Sequence, residues 1–209
     1  MKRILLTFIV IVAGFAMITP YASAQSAKSN GRAAKDRNSM DAWQKDMAEF
    51  RARSEQDRKI SELTDSIASV QAFAAVKNQD FVLEAQSVSF RNGATVFVNS
   101  TTNFISVKGD RAVVQISPSN FASGPNGLGG VTVDGMISGQ EYRVGKKGNA
   151  TYSFNVMGIG INAQVEIYLT PGSNSASATI YPNFNSNTVW LQGNIVPYEN
   201  SGVIEGSSL

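Results

Sequence analysis

Cysteine and histidine are both absent from this chain of 209 residues. Their absence excludes disulfides, thiol nucleophiles, histidine general bases, Ser-His-Asp triads and the usual zinc sites. We therefore expect a protein that is not an enzyme and that uses no cofactor and no metal. Without disulfides the fold must depend on burial, and a domain of about 185 residues is large enough for that.

A charge excess is also lacking. The chain has 18 Lys and Arg and 16 Asp and Glu, and two of the cations, Lys2 and Arg3, lie in a predicted leader. The remaining 16 cations balance the 16 anions. Nonspecific binding to nucleic acid or to anionic lipid needs a large positive excess, so we expect no nucleic-acid partner.

The first 24 residues have the pattern of a secretory signal peptide. Two cations precede Ile4–Ile18, a run of 15 uncharged residues. Ala22 and Ala24 give the small-x-small pattern of a signal peptidase site, with Gln25 as the first mature residue. The run is shorter than the roughly 20 residues that span a bilayer, so we expect no transmembrane span in the mature chain. No cysteine follows it for a lipid anchor. A periplasmic or secreted protein is predicted.

Two compositions divide the mature chain. In residues 25–80, 19 of 56 residues are charged, whereas in residues 81–209 only 13 of 129 are. Residues 25–38 are polar and small and contain no large apolar residue, so they are predicted to be a disordered linker. A helical segment over 39–78 and a β domain over 79–209 follow.

The helical segment has two apolar stripes with helical spacing. They consist of Met40, Trp43, Met47 and Phe50, and of Ile60, Leu63, Ile67, Val70 and Ala74. The stripes are out of phase by one residue, which a straight two-stranded coiled coil would not allow. We expect either a break or bend near Ser54 or one long helix whose halves pack on different surfaces. The second stripe is predicted to cover the following sheet. The alternative is a helix that joins copies of the chain into a homo-oligomer.

From Asp80 onward the apolar period changes to two, which is typical of strands. Short runs rich in β-branched and aromatic residues recur, separated by turn sequences such as Asn92-Gly93 and Gly109-Asp110. No helix-length segment intervenes, so parallel βαβ units are not expected. The prediction is a mainly β protein: an antiparallel meander of about nine or ten strands, forming a barrel or a sandwich, after an N-terminal helix.

Three runs in the β region carry a family resemblance. They are Phe81-Val82-Leu83-Glu84-Ala85, Asn103 to Ala112, and Gly124 to Thr132, with Gly135 after Asp134 in addition. With the preceding helix, these runs resemble the DUF4251 family of secreted Bacteroidetes proteins, a domain of unknown function. The resemblance implies an envelope or secreted protein with one β-rich domain. It implies no activity.

The Gly-rich stretch Gly124–Gly130 is unusual. A phosphate-binding loop normally opens a helix and carries a lysine, whereas this stretch has no lysine and leads into a strand at Val131. It is therefore either a mobile hairpin connection or a loop that contacts a ligand. The candidate ligand residues are Asn126, Gly127, Leu128 and Gly129.

Other side chains suggest weaker hypotheses. Asp65-Ser66-Ile67 resembles the O-glycosylation signal of the same bacterial phylum, which makes Ser66 a candidate site. Aromatic residues among many amides suit the binding of sugars or extended peptides, or ordinary sheet packing. These are Tyr142, Tyr152, Tyr168, Tyr181, Phe184 and Trp190.

The sequence leaves three functions open. The first is an exported, non-catalytic binding or structural module of the cell envelope, which meets a glycan, peptide or protein through its β surface. The second is a lipocalin-like carrier, which needs a cavity of roughly 300 Å³. The third is a carboxylate-dependent hydrolase, which needs two acids facing one cleft. Its candidates are Glu84, Asp134, Glu141 and Glu166.

Overall fold

A computed structural model describes residues 26–117, 130–159, 162–183 and 188–207, with side chains from residue 39 onward. One helix precedes nine strands. They are α1 (Ser26–Lys77), β1 (Asp80–Phe90), β2 (Thr95–Phe97), β3 (Phe104–Lys108), β4 (Arg111–Ile116), β5 (Val131–Val144), β6 (Ala150–Gly158), β7 (Asn162–Leu169), β8 (Ser175–Pro182) and β9 (Val189–Pro197). A short 3-10 helix, Tyr198–Asn200, follows β9. The chain divides into two compact units, Met1–Glu55 and Gln56–Leu209.

Helix α1 begins earlier in the chain than the sequence pattern indicates. It begins at Ser26, so residues 26–38, whose composition predicts disorder, are helical. Alanine, lysine and arginine are strong helix formers, and seven of these thirteen residues are of those types, so propensity favours a helix where burial does not. The helix also continues through Ser54 without a break. Among the described residues, no helix has the length and apolarity needed to cross a bilayer.

The strands form an antiparallel meander that closes into a barrel. The order is β2-β1-β3-β4-β5-β6-β7-β8-β9, and β1 also pairs with β9. Eight strands therefore make the closed barrel. Strand β2 is an extra strand, which pairs with β1 at Ser87–Ser89, beyond the stretch where β1 pairs with β3. The predicted mainly β, antiparallel fold is confirmed, and of the two architectures it is the barrel.

The barrel interior is apolar, because alternate residues of each strand point inward. Strand β7 shows this alternation most clearly, with Ala163, Val165, Ile167 and Leu169 buried and their neighbours exposed. Large rings occupy the interior. The centroid of Tyr152 lies 5.8 Å from that of Phe81 and 5.4 Å from that of Phe154. An interior filled in this way, as eight-stranded barrels allow, disfavours a lipocalin-like carrier.

Barrel closure depends on a bulge in β1 and on a glycine opposite it. The register of β1 against β9 shifts between Ala85 and Ser87. A Cβ atom on Gly193 would lie 1.9 Å from the carbonyl oxygen of Glu84. Only glycine therefore allows the two strands to approach so closely at the bulge.

The last turns of α1 pack against the barrel, but not through the predicted stripe. Ala72, Ala75 and Val76 are buried and belong to the same apolar cluster as the barrel interior. The stripe predicted to cover the sheet is solvent-exposed instead, with Ile60 at 54%, Leu63 at 65%, Ile67 at 60% and Val70 at 69%. Phe73, which is partly buried, packs against the same cluster, so the packed face combines small side chains with one aromatic ring. Large apolar side chains alone were therefore a misleading guide to the packed face.

The C-terminal segment covers part of the outer barrel surface. Val82, Phe104 and Val113 point outward and are nevertheless buried, because they form a second apolar cluster with Val196, Tyr198 and Val203. The amide N–H of Ile204 donates a 2.8 Å hydrogen bond to the carbonyl of Thr101. The outer surface of β1, β3 and β4 is therefore occupied by the chain itself. The outer surface of β7 to β9 carries exposed side chains.

Candidate functional site

Three aromatic side chains are half-exposed on the outer surface of β7, β8 and β9. Tyr168 is 44% exposed, Tyr181 is 42% exposed and Trp190 is 40% exposed. They point outward because the neighbouring residues of each strand are the apolar ones that fill the barrel. We call the aromatic face the set of these three residues with Gln164, Glu166, Ser177, Thr179 and Gln192.

The strand register arranges the aromatic face in rows. Trp190 lies opposite Thr179, and Thr179 lies opposite Glu166. The next row along contains Gln192, Ser177 and Tyr168. Tyr181 lies opposite Gln164 and two residues from Thr179, which makes it a diagonal neighbour of Trp190 at roughly 7–8 Å. The three rings therefore share one surface with amide and hydroxyl groups between them.

The aromatic face is nearly uncharged. Its one ionisable carboxylate is Glu166, and the row continues through Ser153 of β6 to Glu141 of β5. Glu141 is engaged by Arg143 at 2.6 Å. Aromatic rings offer flat apolar surfaces, while amides and hydroxyls both donate and accept hydrogen bonds. This combination suits an uncharged ligand that has apolar faces and hydroxyl edges.

Two of the other predicted aromatics belong to the interior. Tyr152 is 1% exposed, and its hydroxyl donates a 3.1 Å hydrogen bond to Oε1 of Gln140. Burial raises the pKa of Tyr152 from 10.0 to about 12. Tyr142 packs against the core, and burial raises its pKa as well. Phe184 lies outside the described residues.

The carboxylates of the hydrolase hypothesis do not converge on one cleft. Glu84 accepts a 2.7 Å hydrogen bond from the hydroxyl of Ser201. Asp134 accepts two hydrogen bonds from Arg111, at 2.7 and 2.8 Å, and Glu205 contacts the same guanidinium at 3.3 Å. Within the described ranges, no group of three or more acidic, histidine or cysteine side chains is placed to hold a metal ion. Glu84 and Asp134 are therefore each held by a different partner.

The other predicted site residues are not part of the aromatic face. The signal-peptide residues Ala22, Ala24 and Gln25 lie outside the described residues. So do the loop residues Asn126, Gly127, Leu128 and Gly129. Ser66 is exposed on α1, next to the apolar stripe. Cleavage, ligand binding by the loop and glycosylation of Ser66 therefore stay predictions.

Sequence reasoning missed a buried polar network beneath the C-terminal segment. Gln115 is fully buried, and its amide nitrogen donates hydrogen bonds of 3.0 and 2.9 Å to the carbonyls of Thr102 and Ile204. Its amide oxygen accepts from Gly206 and Thr132 at 2.7 and 3.1 Å. A lone glutamine within the apolar run of β4 was the available signal. The network holds the C-terminal segment against the barrel.

Comparison with known proteins identifies a family. The model of the family described as "Domain of unknown function (DUF4251)" matches residues 65–195. A crystal structure of a DUF4251 family protein from Bacteroides eggerthii DSM 20697 is similar to the chain, with a TM-score of 0.60 and 48% sequence identity. The match covers 67% of this chain and 94% of that one. No curated protein matches the chain.

Proposed function

Because the chain belongs to the DUF4251 family, whose function is unknown, we propose from its own surface that it is an exported, non-catalytic binding module of the cell envelope. The aromatic face is the observation that carries this proposal. The three half-exposed rings on three adjacent strands do not contribute to packing of the barrel interior, since their side chains point away from it. Exposed apolar patches bordered by polar groups are characteristic of binding surfaces.

The chemistry of the aromatic face favours a neutral glycan as the ligand. Sugar rings carry apolar C–H faces that stack on aromatic rings, and their hydroxyls exchange hydrogen bonds with amides such as Gln164 and Gln192. An acidic ligand would be repelled by Glu166, and no cation is part of the aromatic face to attract it. A predicted leader followed by a chain with equal numbers of cations and anions also suits a protein that works among envelope polysaccharides.

A comparison of two exposed apolar residues of the barrel tests this function. Trp190→Ala removes a ring of the aromatic face, whereas Met136→Ala removes an exposed side chain of β5 that is not part of it. Affinity for envelope polysaccharide purified from the producing cells is measured by affinity electrophoresis, with alginate as the acidic comparison. We expect Trp190→Ala to weaken binding at least about tenfold, as loss of an aromatic anchor does, and Met136→Ala to leave it unchanged.

Two results would contradict the proposal. One is equal binding by the two variants, and the other is binding of alginate alone. Mass spectrometry of the same preparation tests export. If the leader has been cleaved, the first residue found should be Gln25. Retention of the uncleaved leader would contradict export while leaving the glycan result intact.

A further inference from the structure

The exposed stripe of α1 is a second apolar surface, separate from the aromatic face. Its four large side chains, Ile60, Leu63, Ile67 and Val70, are each more than half exposed. The buried face of the same helix is formed by Ser69, Ala72, Ala75 and Val76. At about 100° per residue, the centres of these two faces lie roughly 170° apart around the helix. The barrel therefore leaves the stripe accessible on the far side of the helix.

The other compact unit carries an equivalent stripe. Met40 is 55% exposed, Trp43 is 58% exposed and Phe50 is 66% exposed, while Met47 is partly buried. Both stripes have the spacing 3-4-3, which gives a narrow seam of a and d positions and not the broad face of a surface helix. Such a seam fits the seam of another helix.

We propose that the second stripe of one copy packs antiparallel against the first stripe of another copy. In this register Met40 faces Val70, Trp43 faces Ile67, Met47 faces Leu63 and Phe50 faces Ile60. Every layer then joins an a position to a d position, as in antiparallel coiled coils. The large Trp and Phe side chains lie opposite smaller aliphatic ones, which is the pairing that fills a seam without voids.

Two observations favour this occupant over others. If the second stripes of two copies paired with each other, Trp43 and Phe50 would stay exposed. Each partner would then contribute only four large side chains, which bury well below the roughly 800 Å² per partner of a stable interface. The stripes are flanked by charges of both signs, with Lys45 paired to Glu49 and Arg58 to Glu62, whereas membrane-surface helices are strongly basic.

Self-association is measured on the processed protein by light scattering coupled to size exclusion. We expect an oligomer that dissociates on dilution, and we expect Ile67→Glu and Trp43→Glu each to raise its dissociation constant at least about tenfold. Ser61→Glu and Ala48→Glu place the same charge on exposed positions outside the stripes and should not change it. Circular dichroism checks that each variant stays folded. A wild-type protein that is monomeric at all concentrations would overturn the proposal, whether or not that monomer binds lipid vesicles.

The register is tested by disulfide trapping, because the chain has no cysteine of its own. Met47→Cys and Leu63→Cys are made in separate chains, which are then mixed and oxidised. We expect the mixed disulfide between the two variants to predominate over either homodisulfide. Mixing Leu63→Cys with Ile67→Cys tests the competing register, in which the second stripe pairs with itself. Efficient trapping in that mixture, without trapping between Met47→Cys and Leu63→Cys, would overturn the proposed pairing.

Discussion

Tyr152 and Tyr168 are the same residue type in two environments of one barrel. Both lie in strands with strict alternation, but Tyr152 points inward and is 1% exposed, whereas Tyr168 points outward and is 44% exposed. Burial removes water from the inward hydroxyl, which disfavours the phenolate and raises the pKa of Tyr152 to about 12. A single step of the alternation thus separates a core side chain from one on the outer surface.

This burial predicts a loss of stability at alkaline pH. Below pH 10 the tyrosine is protonated in both the folded and the unfolded chain. Above pH 10 the unfolded chain loses the proton first, so the free energy of unfolding falls as pH rises towards 12. The loss from Tyr152 is on the order of 2 kcal/mol, measured by urea unfolding between pH 8 and pH 12.

Two phenylalanine variants isolate the effect. Tyr152→Phe should reduce the alkaline loss, although the variant is less stable by roughly 1 kcal/mol at neutral pH because its hydrogen bond to Gln140 is gone. Tyr168→Phe removes a hydroxyl from the outer surface and is the comparison for loss of a buried one. An alkaline loss that is the same in Tyr152→Phe and the wild type would refute the assignment.

Helix α1 shows that burial of a face and size of its side chains are different properties. Its packed face consists of Ala72, Ala75 and Val76 with the partly buried Phe73, and its large apolar stripe is exposed. Helical periodicity identifies both faces but does not tell which of them packs on the barrel. The free-energy cost of leaving a stripe uncovered by the barrel depends on whether another surface covers it. The hypothesis that the second stripe covers the sheet was wrong for this reason.

A pair of alanines in the same turn tests the helix orientation. Ala72 is fully buried and Ala74 is exposed. Ala72→Asp buries a charge without a partner and should lower the free energy of unfolding by more than about 3 kcal/mol. Ala74→Asp has the same loss of helix propensity and the same unfavourable position near the helix C-terminus, and should lower it by no more than about 1 kcal/mol.

The two midpoints of urea unfolding give the result directly. Since both variants share every cost except burial, the difference between them reports the packing of α1 on the barrel. Equal midpoints would mean that this face of the helix does not pack on the barrel.

Barrel closure joins the beginning and the end of the β domain, because β1 pairs with β9 over nine residue pairs. The compact unit that contains the barrel begins at Gln56. A chain shortened to start at Gln56 should therefore still unfold cooperatively in urea. Its free energy of unfolding should lie within about 0.5 kcal/mol of that of the full chain. Loss of the cooperative transition would show that the barrel needs the first unit.

About half of the candidate site was within reach of the sequence. The list of aromatic residues contained Tyr168, Tyr181 and Trp190, and the alternating pattern placed each of them in a strand. The same list contained Tyr152, whose inward direction follows from the phase of its strand in the barrel. The sequence did not predict the network around Gln115, because Ile204 and Gly206 lie near it only in the tertiary structure.

Local chemistry along the chain is sufficient to predict the strands, the presence of a helix before them and the antiparallel connections, since each depends on neighbouring residues. Composition alone excludes thiol and imidazole chemistry. Closure of the barrel, the buried face of α1 and the surface left for the aromatic face depend on contacts between distant residues. The free energy of such contacts comes from how whole strands tilt, pair and cover one another. A periodic pattern of two or of 3.6 residues contains no information about that arrangement.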